Sequence, residues 1–321
     1  LTQSNHIDIP TPLLSEISLQ CEKNVVGSDL TELIDYLLSK YGESVSGIIL
    51  YGSCLRNQNF EEGIIDLYVV ISSYEKAYDK RSLRILNSLL APNVFYAEVN
   101  DNEKKIRAKY ALISLEDLNR GVENWFHSYI WSRFAQPVRF LYTKDNETKQ
   151  YLHNIIAKSV IKFLNLTIAA LGPGRFDTEA IWVNGLTLTY AAELRPEHSN
   201  RAQDITLQSI SDLVHLTQHA APAIRGLIEE LPRGYYQTNT SSRKMKKCIR
   251  FWRLRRWQGR ILSILRLMKA AFTFKDCVDY AAWKIKRHTG INIVVTPILK
   301  KHPILFGLTT LWQLLRRNAL R

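Results

Sequence analysis

Cysteine is scarce in this chain, and its four thiols, Cys21, Cys54, Cys248 and Cys277, form no C-x-x-C pair and no dense framework. That spacing excludes a disulfide-stapled scaffold, argues against a structural zinc site, and predicts free thiols in a reducing compartment. Also lacking is any uncharged apolar run of about 18 residues, the length that would read as a spanning helix. The N-terminus shows neither the basic start nor the apolar stretch of a signal peptide, so any membrane contact is expected to be peripheral. Acidic residues are nearly missing from one end. Residues 241–321 hold 20 Lys and Arg against two acids, Asp276 and Asp279, a balance of +18, so with +13 overall residues 1–240 carry −5. Such segregation places an anionic partner, whether nucleic acid, anionic lipid or polyphosphate, against the C-terminal part.

The chain is otherwise rich in core-forming material. With 321 residues, 46% of them hydrophobic, it can bury a sizeable core in two domains or one large one. Apolar periodicity predicts a helix over 30–38, strands over 45–51 and 64–71, and a helix over 74–90. Strands over 94–99 and 106–113 follow, joined by a hairpin turn at 100–105. This order suits a small mixed sheet backed by helices. From Tyr151 the period becomes helical, with Leu152, Ile155, Ile156, Val160, Phe163 and Leu164 on one face and Gly172, Pro173 and Gly174 ending it. The expected fold class is α+β: a mixed-sheet domain over 1–147, a mainly helical domain over 148–240, and a basic helical region over 241–321. Residues 233–242, with Gly234 and a Thr/Ser/Asn cluster, read as a flexible loop before the basic region.

The most informative stretch is the apolar run Ile48, Ile49, Leu50, Tyr51 into Gly52 and Ser53, followed thirteen residues after Ser53 by Asp66 in a second apolar strand. Gly52 would let the backbone approach a triphosphate, Ser53 would bond phosphate oxygens, and Asp66 would hold Mg²⁺ against the charge building on a leaving pyrophosphate. Strand, Gly-Ser, loop, then a strand with an acid resembles the signature of the DNA polymerase β superfamily of nucleotidyltransferases. The usual pair there is Asp-x-Asp, since alternate strand residues share a face and both carboxylates can grip metal. Here Tyr68 stands in the second place. Glu98, on the next strand, is the candidate second metal ligand, with Glu61 and Glu62 weaker ones. Gly-Ser after a strand is also an ordinary turn, so the motif alone leaves catalysis and structure equally open.

Several separated stretches resemble one family, the mitochondrial-type CDP-diacylglycerol synthases known for translocator assembly and maintenance, and their bacterial relatives. Tyr51-Gly52-Ser53 with the single Asp66 before Leu67 and Tyr68 fits that family's motif, as do Val94-Phe95-Tyr96 and the run from Lys109 to Ser114. Trp125 and the run Ser128 to Val138 resemble a further family segment, and Lys269 to Thr273 with Tyr280 and Lys284 resemble another, although Ala270 and Lys275 replace its glycines. The resemblance implies transfer of CMP from CTP to phosphatidate, giving CDP-diacylglycerol and pyrophosphate with Mg²⁺ as cofactor. It implies catalytic roles for Asp66, Ser53 and Lys109, and substrate contacts from Gly52, Ser53, Arg133, Gln136 and Lys269. It implies an anionic membrane surface and no nucleic acid as partner, at the cytoplasmic face of a bacterial inner membrane or the matrix side of the mitochondrial inner membrane. A nucleotidyltransferase acting on RNA or a small soluble acceptor, and a catalytically silent lipid-binding scaffold, are the competing readings.

Over 243–272 apolar residues including Ile249, Trp252, Leu254, Trp257, Ile261, Ile264, Leu265 and Met268 alternate with nine basic ones from Arg243 to Arg260. One or two basic amphipathic helices are expected. Either they attract anionic headgroups with Trp252 and Trp257 at the interface, or they turn an apolar stripe to the core and a solvated basic face outward. Leu308, Leu311, Trp312 and Leu315 fall at helical spacing and suggest a short terminal anchor. His127, between Trp125 and Tyr129, could touch a base, although a core or surface histidine is the commoner role.

Overall fold

The computed structural model describes residues 8–25, 30–58, 60, 63–101, 104–193, 200–230 and 234–273. Two long N-terminal helices, α1 (Thr11–Glu22) and α2 (Thr31–Tyr41), precede the strand β1 (Val45–Tyr51), the short helix α3 (Ser53–Asn57) and the strand β2 (Ile65–Ile71). Then come α4 (Tyr74–Ala77), α5 (Arg81–Leu89), β3 (Asn93–Asp101), β4 (Lys104–Ser114), α6 (Leu115–Glu123), α7 (Trp131–Phe134) and β5 (Arg139–Thr143). These five strands make one mixed sheet in the order β3-β4-β2-β1-β5. Only β2 and β4 run parallel, with Asp66 beside Lys109; β1 is antiparallel to both β2 and β5, and β3 to β4.

The central strands are continuous apolar runs because both faces of the sheet are covered. One face, with Ile48, Leu50, Leu67, Val69, Tyr110 and Leu112, packs on Leu33 and Leu37 of α2. The other, with Ile49, Tyr68, Val70, Ala111 and Ile113, shares a cluster with α1 and with the long helix α8 (Asn146–Leu171). Asp145 caps α8 by accepting from the Thr148 N–H at 2.7 Å, and Gly172, at φ 82°, ends it. Among the described residues α8 alone is long and apolar enough to cross a membrane, but 56% of that stretch is buried, as in the core helix of a folded domain.

Two expectations are corrected. The helix expected over 74–90 is two, because Tyr78 takes an extended backbone (φ −128°, ψ 126°) that sends its ring inward and lets its hydroxyl accept from Asn93 Nδ2 at 3.0 Å. The part after α8 is mainly helical but also holds a small sheet. Beside α9 (Thr178–Ala191), α10 (Arg201–Gln208) and α11 (Ile210–Ala220), the strands β6 (Gly174–Asp177), β7 (Leu227–Glu230) and β8 (Tyr235–Thr238) form a second sheet, ordered β6-β8-β7. Residues 235–238, read as loop, are its middle strand, fixed by the fully buried ring of Tyr236.

The basic region begins as one helix, α12 (Ser242–Thr273). It turns Cys248, Trp252, Arg255 and Lys269 inward, all at most 8% exposed. Trp252 is thus a core residue against Trp131, with centroids 6.1 Å apart, and not an interfacial one. Gly259 permits the crossing, since a Cβ there would lie 2.1 Å from the Ala192 carbonyl oxygen. Outward, α12 carries Leu254, Trp257, Ile261, Ile264, Leu265, Leu267 and Met268, with Trp257 65% exposed. The helix thereby buries some of its cations and exposes much of its apolar surface, so neither of the two orientations expected for it describes it fully. The stretch around Trp312, and Tyr280 and Lys284, lie outside the described residues.

Candidate active site

The site begins where β1 runs out of the core. Its last residue, Tyr51, stands opposite Asp66 on β2. Gly52 then takes φ 90°, ψ −157°, a left-handed backbone that side-chain-bearing residues adopt only with strain. A second demand coincides with the first: a Cβ on Gly52 would sit 2.8 Å from Asp66 Oδ2. Ser53 opens α3, and the Cys54 thiol, buried behind it, reaches the Ile64 carbonyl at 3.2 Å, tying the turn to the start of β2. Gly52, Ser53 and Asp66 are therefore held in one corner by backbone geometry.

Lys109 completes the corner from β4. The parallel register sets it beside Asp66, and its Nζ lies 2.9 Å from Asp66 Oδ1 with both side chains partly open to solvent, 31% and 23% exposed. Two positions further along the same face, Tyr68 is buried between Tyr51 and Phe134, at centroid distances of 5.0 and 4.8 Å. Burial, eased in part by Arg133, pushes its phenol pKa well above the ordinary value. Tyr68 thus forms an apolar floor where a second metal acid would stand.

Glu98 shares this face but lies opposite Arg107, whereas Tyr96 is the residue level with Lys109 and Asp66. With strands about 4.8 Å apart, a β3 residue is roughly 10 Å from β2. Lys105, Tyr96 and Arg107 hold Glu98 at 3.0, 3.1 and 3.3 Å, and these bonds, the one from Lys105 foremost, keep its carboxyl below its ordinary range. The structure does not bring Glu98 to Asp66. Glu61 and Glu62 lie outside the described residues.

Behind Tyr68 lies a cationic group. Arg133, on α7, makes a two-pronged pair with Glu193 at 2.8 and 2.7 Å, both side chains about nine-tenths buried. Burial works against the Arg133 charge, but Glu193 beside it prevails and raises its pKa. Its guanidinium lies 3.8 Å from the Tyr129 ring centroid, and that of Arg266, from α12, lies 3.9 Å from the same ring. Burial and the Arg266 charge bring His127 down to about 3, so it is neutral near neutral pH. Lys269 donates to the carbonyls of Pro92 at 2.8 Å and of Leu90, at the entry to β3. Burial, then Arg266, pulls it down to about 7. Gln136 donates to the Ser132 carbonyl at 3.0 Å and lines a cleft with Ile17, Gln20 and Cys21 of α1.

Of the residues expected at the site, Gly52 and Lys109 each meet Asp66, and Ser53 follows Gly52 at the start of α3. Arg133 stands one aromatic layer behind, Lys269 holds a carbonyl cluster, and Gln136 and Glu98 are engaged elsewhere. Glu193, Tyr129 and Arg266 were not foreseen, because a pair separated by sixty residues and a ring shared by two arginines leave no local pattern. Comparison with protein-family models and with curated proteins finds no match to this chain.

One carboxylate at this corner suits Mg²⁺, which accepts one or two protein acids and takes its other oxygens from water and substrate phosphates. Asp66 would hold it, with Lys109 as the neighbouring cation. Such a corner could hold a polyphosphate, and among the described residues it presents no strong base.

Proposed function

We propose that the chain is a nucleotidyltransferase that transfers CMP from CTP to a lipid phosphate, phosphatidate in the first instance, giving CDP-diacylglycerol and pyrophosphate. The observation that carries this reading is the approach of Asp66 to a Gly52 backbone that no side chain could share, with Lys109 at 2.9 Å. CTP and phosphatidate themselves rest on the family resemblance of the motifs.

An acceptor phosphate is already anionic, so it needs no base to become a nucleophile, and the absence of a second acid at Tyr68 is then tolerable. The acceptor oxygen forms a bond to the α-phosphorus of CTP, the bond from that phosphorus to the β-phosphate oxygen breaks, and pyrophosphate leaves with the electron pair. Mg²⁺, when bound, neutralises charge on the triphosphate. Gly52 and Ser53 offer the backbone surface against which phosphates lie. Lys109 exchanges its bond with Asp66 for one to a phosphate oxygen and stabilises charge as it builds. The outward face of α12, with Trp257, Leu254 and Ile261 among Arg253, Arg256 and Arg260, supports contact with an anionic membrane surface.

The test is incubation of the protein with phosphatidate in mixed micelles, labelled CTP and Mg²⁺, beside Asp66→Asn. A CDP-lipid and pyrophosphate formed by the parent and lost in the variant are expected. Absence of product with any nucleotide and lipid phosphate, from folded protein that still binds vesicles, would overturn the enzymatic reading in favour of a silent scaffold.

A further inference from the structure

A second cluster of ligating side chains lies on elements that contribute nothing to the corner at Asp66. Glu16 of α1 meets His215 and His219 of α11, and one donor atom from each lies within 4.8 Å of the others. The two histidines are four residues apart and so share one helix face, their rings 6.4 Å apart and 21° from parallel. Glu16 is oriented from behind: Gln20 Nε2 donates to its Oε1 at 2.7 Å and to the Asp212 carbonyl at 3.1 Å. A carboxylate fixed by a neighbouring amide, facing two imidazoles on one helix turn, has the make-up of a metal site with its supporting shell.

We infer that Glu16, His215 and His219 bind a divalent transition ion of the zinc class. Two imidazoles and a carboxylate leave a fourth tetrahedral position for water, and imidazole selects such ions over Mg²⁺ and Ca²⁺. Donors sharing a tetrahedral ion at about 2.0–2.2 Å stand roughly 3.4 Å apart, a contraction that side-chain rotation supplies. His215 is exposed, so the ion has a path of entry. The bound ion would pin α1 to α11, beside the existing Lys23–Asp212 ion pair at 3.0 Å. Because the ligands come from two helices, it would bind the folded chain in preference to the unfolded one and stabilise it.

The full chain, stripped with chelator, is titrated with Co²⁺ alone. One equivalent is expected to give visible d–d absorption that Zn²⁺ abolishes and Mg²⁺ does not, while hydrogen exchange within α1 slows. His215→Ala with His219→Ala should weaken Co²⁺ binding at least ~100-fold and Gln20→Ala by ~10–100-fold. Equal Co²⁺ affinity in the folded double variant, or no Co²⁺ binding by the folded parent, overturns the site. If the double variant fails to fold, unchanged affinity in Gln20→Ala and Glu16→Gln does so instead.

Discussion

Gly52 and Asp66 face each other across the β1–β2 pair so closely that a methyl group on the glycine would lie 2.8 Å from the carboxylate oxygen. The glycine has two reasons to be there, a left-handed backbone and the acid's own volume. Gly52→Ala is therefore expected to lower stability by about 1–2 kcal/mol from backbone strain, with more from the contact, and to abolish turnover by displacing Asp66. Chemical denaturation and the CDP-lipid assay read the two effects separately.

Lys109 should matter little for stability and much for rate. Its pair with Asp66 is partly open to solvent, where such pairs contribute about 0–1 kcal/mol. Lys109→Met is expected to leave the denaturation midpoint nearly unchanged while lowering kcat by ~10²–10³, the usual cost of removing a group that stabilises transition-state charge.

Glu193 is the opposite case. Replacing it with Gln leaves Arg133 buried without its counter-charge and with Arg266 against the same tyrosine ring. A loss of about 3–5 kcal/mol is expected from stranding a buried charge, visible as a lower denaturant midpoint.

Lys269 sets a pH dependence whose sign follows from its low pKa. In the folded chain it holds its proton below about 7, whereas the unfolded chain holds it up to 10.5. Between these values the unfolded state carries the extra proton, so this group makes stability rise with pH across that window and contributes no slope below it. Lys269→Met should flatten the Tm profile between pH 7 and 10.

The outward face of α12 predicts selective binding to acidic vesicles. Trp257, 65% exposed, should show a blue-shifted emission with phosphatidate-containing vesicles and none with neutral ones. Leu254→Ser with Trp257→Ser should weaken this binding about tenfold or more while leaving the Tm within a few degrees, since exposed substitutions cost little.

The strands β1 to β4, the helix break at Gly172 and the Gly52-Ser53 turn ahead of the strand bearing Asp66 are legible in the sequence alone. These depend on periods of two and 3.6 residues and on a glycine before an acid-bearing strand, all of which are local. The resemblance suggests Lys109 as a phosphate ligand, but only the parallel register of β2 and β4 sets it beside Asp66. The tertiary structure alone decided that Tyr68 is a floor, that Glu98 stands two strands from Asp66, and that α12 turns Arg255 and Lys269 inward and Trp257 out. It also joined Glu16 to His215 and His219, and Arg133 to Glu193. The reason is physical: periodicity reports which face of an element differs from the other, not what another element brings against it. A buried cation is specified by partners such as the Leu90 and Pro92 carbonyls, far away along the chain.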